Sequence, residues 1–406
     1  MKEPAARPAT QTPPAATDTP AIQPSPSPLV LPTSTASANL STSNPFHRVR
    51  PDEGLPFSDV SGLLVDNNGW VWVSGNQGVY VYNQSRWKTL QTEAGGAFLG
   101  VDAVGRVWTL SSDGSQVIAF GGDERRAYAT AQGWTSLPAK EYLSPGFGDG
   151  LANDANNRVW LATGLNEVRR FDPQTGGWRR FTASDLGFLP PQEEGYQGHF
   201  LTDVLLSNAG KIWVSDCVAQ GELLYGMGIH YFDGQRWWEI SSVKDDCIFD
   251  LEMDAQGRVW AGANNALLQY DPATGSWQRF ALPDWSRHQF VLHVDLDPEG
   301  NPWVELLRSG AASIYGATAR YHMLAGEWVL DYEPDTYSPS HIAFGPEGDT
   351  WLCAEGGVYR LANGEKEQIA QFTGRDCLIA VDHQGQVWVA IPSGRDAGVW
   401  WWKSPE

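Results

Sequence analysis

Short apolar runs broken by polar turns recur along the chain from residue 46 onward. Residues 60–82, "VSGLLVDNNGWVWVSGNQGVYVY", show the unit: an apolar run, a D-x-x-G turn, a "VWV" run, a second polar turn and a third run. A further turn, "DPQTGGW" or "DPATGSW", leads into a fourth run, "WRRF" or "WQRF". Runs this short, with turns about 8 to 12 residues apart, predict strands and an all-β fold. Asp in the D-x-x-G segment can accept backbone N–H bonds, and Gly supplies positive φ, so that segment predicts a tight turn.

The unit repeats. Asp66–Trp72, Asp102–Trp108, Asp154–Trp160, Ser207–Trp213, Asp254–Trp260, Asp297–Trp303, Gly345–Trp351 and Asp382–Trp388 share one spacing, with the tryptophan six residues after the first position. Successive copies lie between 36 and 53 residues apart. Four-stranded units at that period predict a single β-propeller. Eight blades are expected, with seven the alternative if one weak unit merges with a neighbour. The last unit lacks a fourth run, while "FHRVR" at Phe46–Arg50 resembles the fourth runs elsewhere. The N-terminal strand is therefore expected to supply the last blade's outer edge and remove a free sheet edge. The regular tryptophans are expected to pack between blades; a ring of ligand-stacking aromatics is the competing account.

Composition then narrows the partners. The net charge of −20 repels phosphate backbones and argues against nucleic-acid binding. No apolar run approaches the roughly 18 residues that span a bilayer. Residues 1–45 are rich in Pro, Ala, Thr and Ser and carry no aromatic before Phe46. Such a segment buries too little apolar surface to offset its ordering entropy, so a disordered tether is expected, followed by a propeller over 46–406. The tether suggests an exported, cell-surface, periplasmic or secreted domain. No secretory apolar core or lipobox cysteine precedes it, so the export signal is expected to have been removed, an intracellular protein being the alternative.

The repeat resembles the two-component regulator propeller repeat, spelled roughly V-x-x-I-x-x-D-x-x-G-x-[LI]-W-[VI]-G-T followed by G-[LV]-x-x-[YF]. Residues 60–82 and "LIAVDHQGQVWVA" at 378–390 carry the likeness best. Ser207 and Gly345 depart from it at the Asp position and Asn157 at the Gly position. The resemblance implies a propeller and a ligand-sensing module outside the cytoplasm, often for carbohydrate signals.

Four cysteines fall in two matching steps between neighbouring units, which makes Cys217–Cys247 and Cys353–Cys377 bridges feasible; four buried thiols are the alternative. Bridges would fit an oxidising compartment. The repeat loses its symmetry in insertions at 140–150, 184–200, 215–228, 283–290 and 306–318, expected to be loops at the channel mouth. These bring Tyr196, His199, Tyr225, Trp285, His288 and Arg308, residue types that suit sugar stacking or a peptide. Aligned on the turn, the innermost strands carry Asp203, Asp250 with Glu252, His293 with Asp295, and His341 in four consecutive units. Carboxylates and imidazoles near one axis could bind Ca²⁺ or Mg²⁺ through Asp203, Asp250, Glu252 and Asp295, or perform acid–base work. A water-filled polar channel is the plain alternative. The leading expectation is a monomeric, non-catalytic binding module for a small molecule, glycan or protein. A propeller lyase or hydrolase, similar to the known propeller lyases in residue type only, is the rival.

Overall fold

The computed structural model describes residues 22–23, 29–30, 44–56, 59–91, 95–102, 104–111, 116–121, 124–129, 150–154, 156–165, 167–188, 196–207, 209–220, 223–283, 289–308, 318–333, 340–362, 365–374 and 376–403. Eight antiparallel sheets follow one another along the chain, each ordered from an inner to an outer strand. Their inner strands are Val60–Val65, Gly95–Val101, Leu151–Asn153, Tyr196–Leu206, Ile248–Met253, Gln289–Leu296, Ser340–Phe344 and Leu378–Val381, which number blades 1 to 8. The eighth inner strand packs beside the first, so the sheets form a ring. The protein is an eight-bladed β-propeller.

Closure follows the sequence. The outer strand of blade 8 is His47–Arg48, paired antiparallel with Gly398–Trp402 in the register His47↔Trp401 and Arg48↔Trp400. The Val49 amide donates to the Val399 carbonyl at 2.9 Å, and Phe46 packs edge-on against Phe372 at 5.8 Å. Two short N-terminal strands add a fifth strand to blades 5 and 6. Ile22–Gln23 lies parallel to Ser276–Ala281, and Leu29–Val30 lies parallel to Glu327–Tyr332.

Each anchor couples a turn to the core. Asp66 Oδ1 accepts from the amides of Asn68 and Trp70, while Asp66 Oδ2 accepts from the Trp72 indole at 2.8 Å. The same indole bond recurs at Asp102–Trp108, Asp154–Trp160 and Asp382–Trp388. One carboxylate thus closes the turn and satisfies a buried indole. The eight anchor tryptophans are at most 5 % exposed, which places them in the packing between blades rather than in a ligand ring. Each burial contributes roughly 4–6 kcal/mol at most, from about 150–250 Å² of surface.

Departures from the repeat have local causes. Asn157 takes the left-handed φ of +58° that Gly takes in the other turns, a conformation Asn tolerates. At blade 7 the Trp351 indole donates to Asp349 instead, and a Cβ on Gly345 would collide with Asp349 Oδ1. In blade 4 the Ser207 hydroxyl accepts from the Lys211 amide and the buried Trp213 indole nitrogen has no partner; in blade 5 Asp254 Oδ2 accepts from Arg258 and the Trp260 indole is likewise unpaired.

Both disulfides form, Cys217–Cys247 and Cys353–Cys377, with Cα separations of 4.8 and 6.0 Å, and no described cysteine is free. Segment 215–228 corrects the loop expectation. Ile212–Gln220 and Leu223–Phe232 continue as one long hairpin in blade 4, with Cys217 inside the strand rather than after it. Its run "VSDCVA" keeps enough apolar, β-compatible residues to extend the pairing. Among the described residues, no helix is long and apolar enough to cross a membrane.

Candidate functional site

The ionisable residues of blades 4 to 7 form one connected wall around the channel. Asp203, 2 % exposed, accepts from the Val204 amide and, across the blade boundary, from the Leu251 amide at 2.8 Å. Asp250 repeats the arrangement one blade further: Oδ1 accepts from Leu251 and Oδ2 from the Val294 amide at 2.7 Å. These aligned aspartates clamp neighbouring inner strands through backbone donors. Blade 1 does the same work without charge, because Gly62 leaves room for Phe98 of blade 2 to pack closely.

Blade 6 continues the series with Glu305 and Arg320, which the inner-strand alignment missed. Glu305 lies opposite His293 on the second strand, Pro302–Arg308, and Arg320 lies opposite Glu305 on the third, Thr318–Leu324. The Arg320 guanidinium is 2 % exposed. It donates to Asp295 at 2.8 Å, to the Ser340 hydroxyl at 3.3 Å and to the Ser340 carbonyl at 2.8 Å, joining blade 6 to blade 7. Glu305 Oε2 lies 3.6 Å from the same guanidinium. A sequence signal existed. The position eight after each anchor reads Ser74, Leu110, Ala162, Ser215, Gly262, Glu305, Cys353 and Ala390, so one glutamate stands among mostly small residues. A buried carboxylate there requires a buried cation.

The electrostatics separate the two histidines. Burial opposes charge on His293, but Asp250, 3.6 Å from its Nδ1, together with Glu305 and Asp295, outweighs it and holds the pKa above the ordinary value. His341 loses charge to burial first, then to Arg320 and His293, and its pKa falls to about 4. Burial also raises the Glu305 carboxyl, against Arg320 and His293. The wall therefore favours charge on His293 and disfavours it on His341. Among the described residues, no group of three or more His, Cys, Asp or Glu side chains is arranged to hold a metal ion.

The other candidates lie elsewhere on blades 4 to 6 or outside the described residues. His199 is buried, with Nδ1 2.5 Å from Asp216 Oδ2, and burial pushes the Asp216 carboxyl up to about 6 against the pull of His199. Tyr225, on the blade 4 hairpin, is exposed. Tyr196 and Arg308 are placed as strand backbone at the ends of Tyr196–Leu206 and Pro302–Arg308. Trp285 and His288 lie outside the described residues. Asp295 and Glu252 sit near the D-x-x-G end, partly open to solvent. The structure thus brings Asp203, Asp250, His293, Asp295 and His341 together, and leaves His199 on the inner strand of blade 4, bonded to Asp216, and Tyr225 on the blade 4 hairpin.

No protein-family model and no curated protein matches the chain. Solved propellers do align with it. An inactive virginiamycin B lyase from Staphylococcus aureus with quinupristin is 14% identical, with a TM-score of 0.46, covering 88% of this chain and 97% of that one. A structure described as YCF48 bound to D1 peptide is 10% identical, with a TM-score of 0.45, covering 90% and 96%. A chain described as the extracellular domain of a hybrid two-component system from B. thetaiotaomicron is 13% identical, with a TM-score of 0.40. The match covers 89% of this chain and 54% of that one, so this chain spans about half its length.

Proposed function

We propose that the protein is an extracytoplasmic, non-catalytic binding module whose channel wall in blades 4 to 7 receives a polar ligand, a glycan or a peptide. The observation carrying this reading is the interblade series of Asp203, Asp250 and Arg320, which fixes one side of the channel through buried charge. A wall fixed before binding loses little freedom when a ligand arrives. Asp295, with 40 % of its side chain exposed, is open to solvent at the edge of that wall. Two disulfides fit an oxidising compartment. The test is a thermal-shift screen of the whole chain against glycans and peptides, with hits titrated by calorimetry. A hit at a hundredfold excess over its Kd should add about 2.7 kcal/mol of stability. Asp295→Asn and His341→Gln should weaken it; hits bound equally by parent and variants would sink the reading.

A second reading draws on the His293–Asp250 pair. A lyase or hydrolase would use it for proton transfer, with Ca²⁺ or Mg²⁺ at the neighbouring carboxylates. It requires turnover that His293→Ala abolishes and a cation-dependent rise in melting temperature lost in an Asp250→Asn, Asp295→Asn double variant.

A further inference from the structure

A cavity of about 390 Å³ opens at the D-x-x-G end of the channel, between the turns of blades 5 and 6. We propose that it binds an organic cation, a primary ammonium or guanidinium on an apolar stem, as a lysine or arginine side chain of a peptide presents. This rests on the binding reading above and names the ligand chemistry at its lower mouth.

Both ends of such a group are matched. Met253, Leu296 and Phe344 supply apolar and aromatic wall, while Asp295, Glu299 and Glu252, whose Oε2 also accepts from the Met253 amide at 3.1 Å, supply carboxylates. Asp254 and Asp297 also line the cavity, but their oxygens already accept from their own turns, from Arg258 and from the Trp303 indole. They add negative potential without needing to move. Among the described lining residues there is no lysine or arginine. The two nearby guanidinium groups are committed, Arg258 to Asp254 and Gln256, Arg320 to Asp295 and Ser340. Asp295 faces both ways: Oδ2 holds Arg320, and the side chain is 40 % exposed.

An apolar stem gains from the Met253, Leu296 and Phe344 walls, and a cation over an aromatic face gains further. A hydrated divalent ion gains nothing from those walls, and no described carboxylates converge on one point to strip its water. A cavity of this size suits one side chain with its flanking backbone.

The experiment is calorimetry of the whole chain with N-acetyl-arginine amide, N-acetyl-lysine amide and N-acetyl-citrulline amide, the last matching arginine in shape without charge. The two cationic amides should bind, more weakly as salt rises, and citrulline should bind at least tenfold more weakly. Glu299→Gln, at an exposed site that leaves folding intact, and Asp295→Asn should each weaken the cationic amides severalfold. Equal citrulline binding, unchanged affinity in both variants, or displacement of the amides by millimolar Ca²⁺ or Mg²⁺ would overturn the proposal. Screen hits lost in His341→Gln but kept in Asp295→Asn and Glu299→Gln would overturn it while leaving the channel reading standing.

Discussion

Gly345 occupies an anchor position because Asp349 already fills the space an aspartate would need. The carboxylate has moved four residues along the chain, yet it reaches the same indole, Trp351, at 2.9 Å. Gly345→Asp should therefore destabilise, despite restoring the repeat, by about 1–3 kcal/mol through crowding. Adding Asp349→Ala should recover most of that loss. Urea unfolding midpoints measure both, and a stabilised single variant would refute the substitution account. His341 gives a second residue-scale test. Its folded pKa of about 4 lies below the value near 6.5 of an unfolded histidine, so the unfolded chain binds the proton first. The contribution is intact above pH 6.5 and is lost as pH falls through 4, up to roughly 3 kcal/mol. His293 works oppositely, its stabilisation being present below its unfolded value and lost as pH rises through the raised folded one. His341→Gln should flatten the acid-side fall in melting temperature between pH 6.5 and 4. An identical fall in parent and variant would remove His341 from the account.

At the scale of elements, the strand–turn grammar was legible because each D-x-x-G turn and its tryptophan repeat a local rule. The blade count, the Phe46–Arg50 outer strand and the two cysteine pairs followed from it. The blade 4 hairpin was not legible as strand, since "SDCVAQGELLYGMG" mixes turn-forming and strand-forming residues and only pairing across Ile212–Gln220 and Leu223–Phe232 decides it. Glu305 and Arg320 escaped notice for another reason. They meet only because the second and third strands of blade 6 are in register, which no single run reveals. The aligned aspartates are legible from the inner-strand alignment, but the bonds of Asp203 and Asp250 to backbone amides of the next blade are not, because their partners lie on a neighbouring sheet. The bridge Cys217–Cys247 spans 30 residues, so its loss through paired serine substitutions should cost roughly 3–4 kcal/mol in loop-closure entropy. Chemical denaturation measures this, and an unmoved midpoint would show that the bridge constrains little of the unfolded chain.

For the whole molecule, ring closure is the dominant constraint. Removing residues 1–44 keeps the pairing of His47–Arg48 with Gly398–Trp402, whereas removal through residue 52 deletes it together with Phe46 and Val49. The longer truncation should lower the melting temperature by several degrees more than the shorter one and expose the blade 8 edge to self-association. Equal melting temperatures, with both truncations monodisperse in light scattering, would refute the clasp. The same feature orders events during synthesis. A ribosome delivers the N-terminal strand first and its partner last, some 350 residues later. Blades 1 to 7 can assemble as the chain emerges, but Phe46–Arg50 must stay unengaged until Gly398–Trp402 arrives. Among the described residues the most sequence-distant contact is thus the latest, and a nascent chain stalled short of residue 398 is an open arc with one unpaired edge.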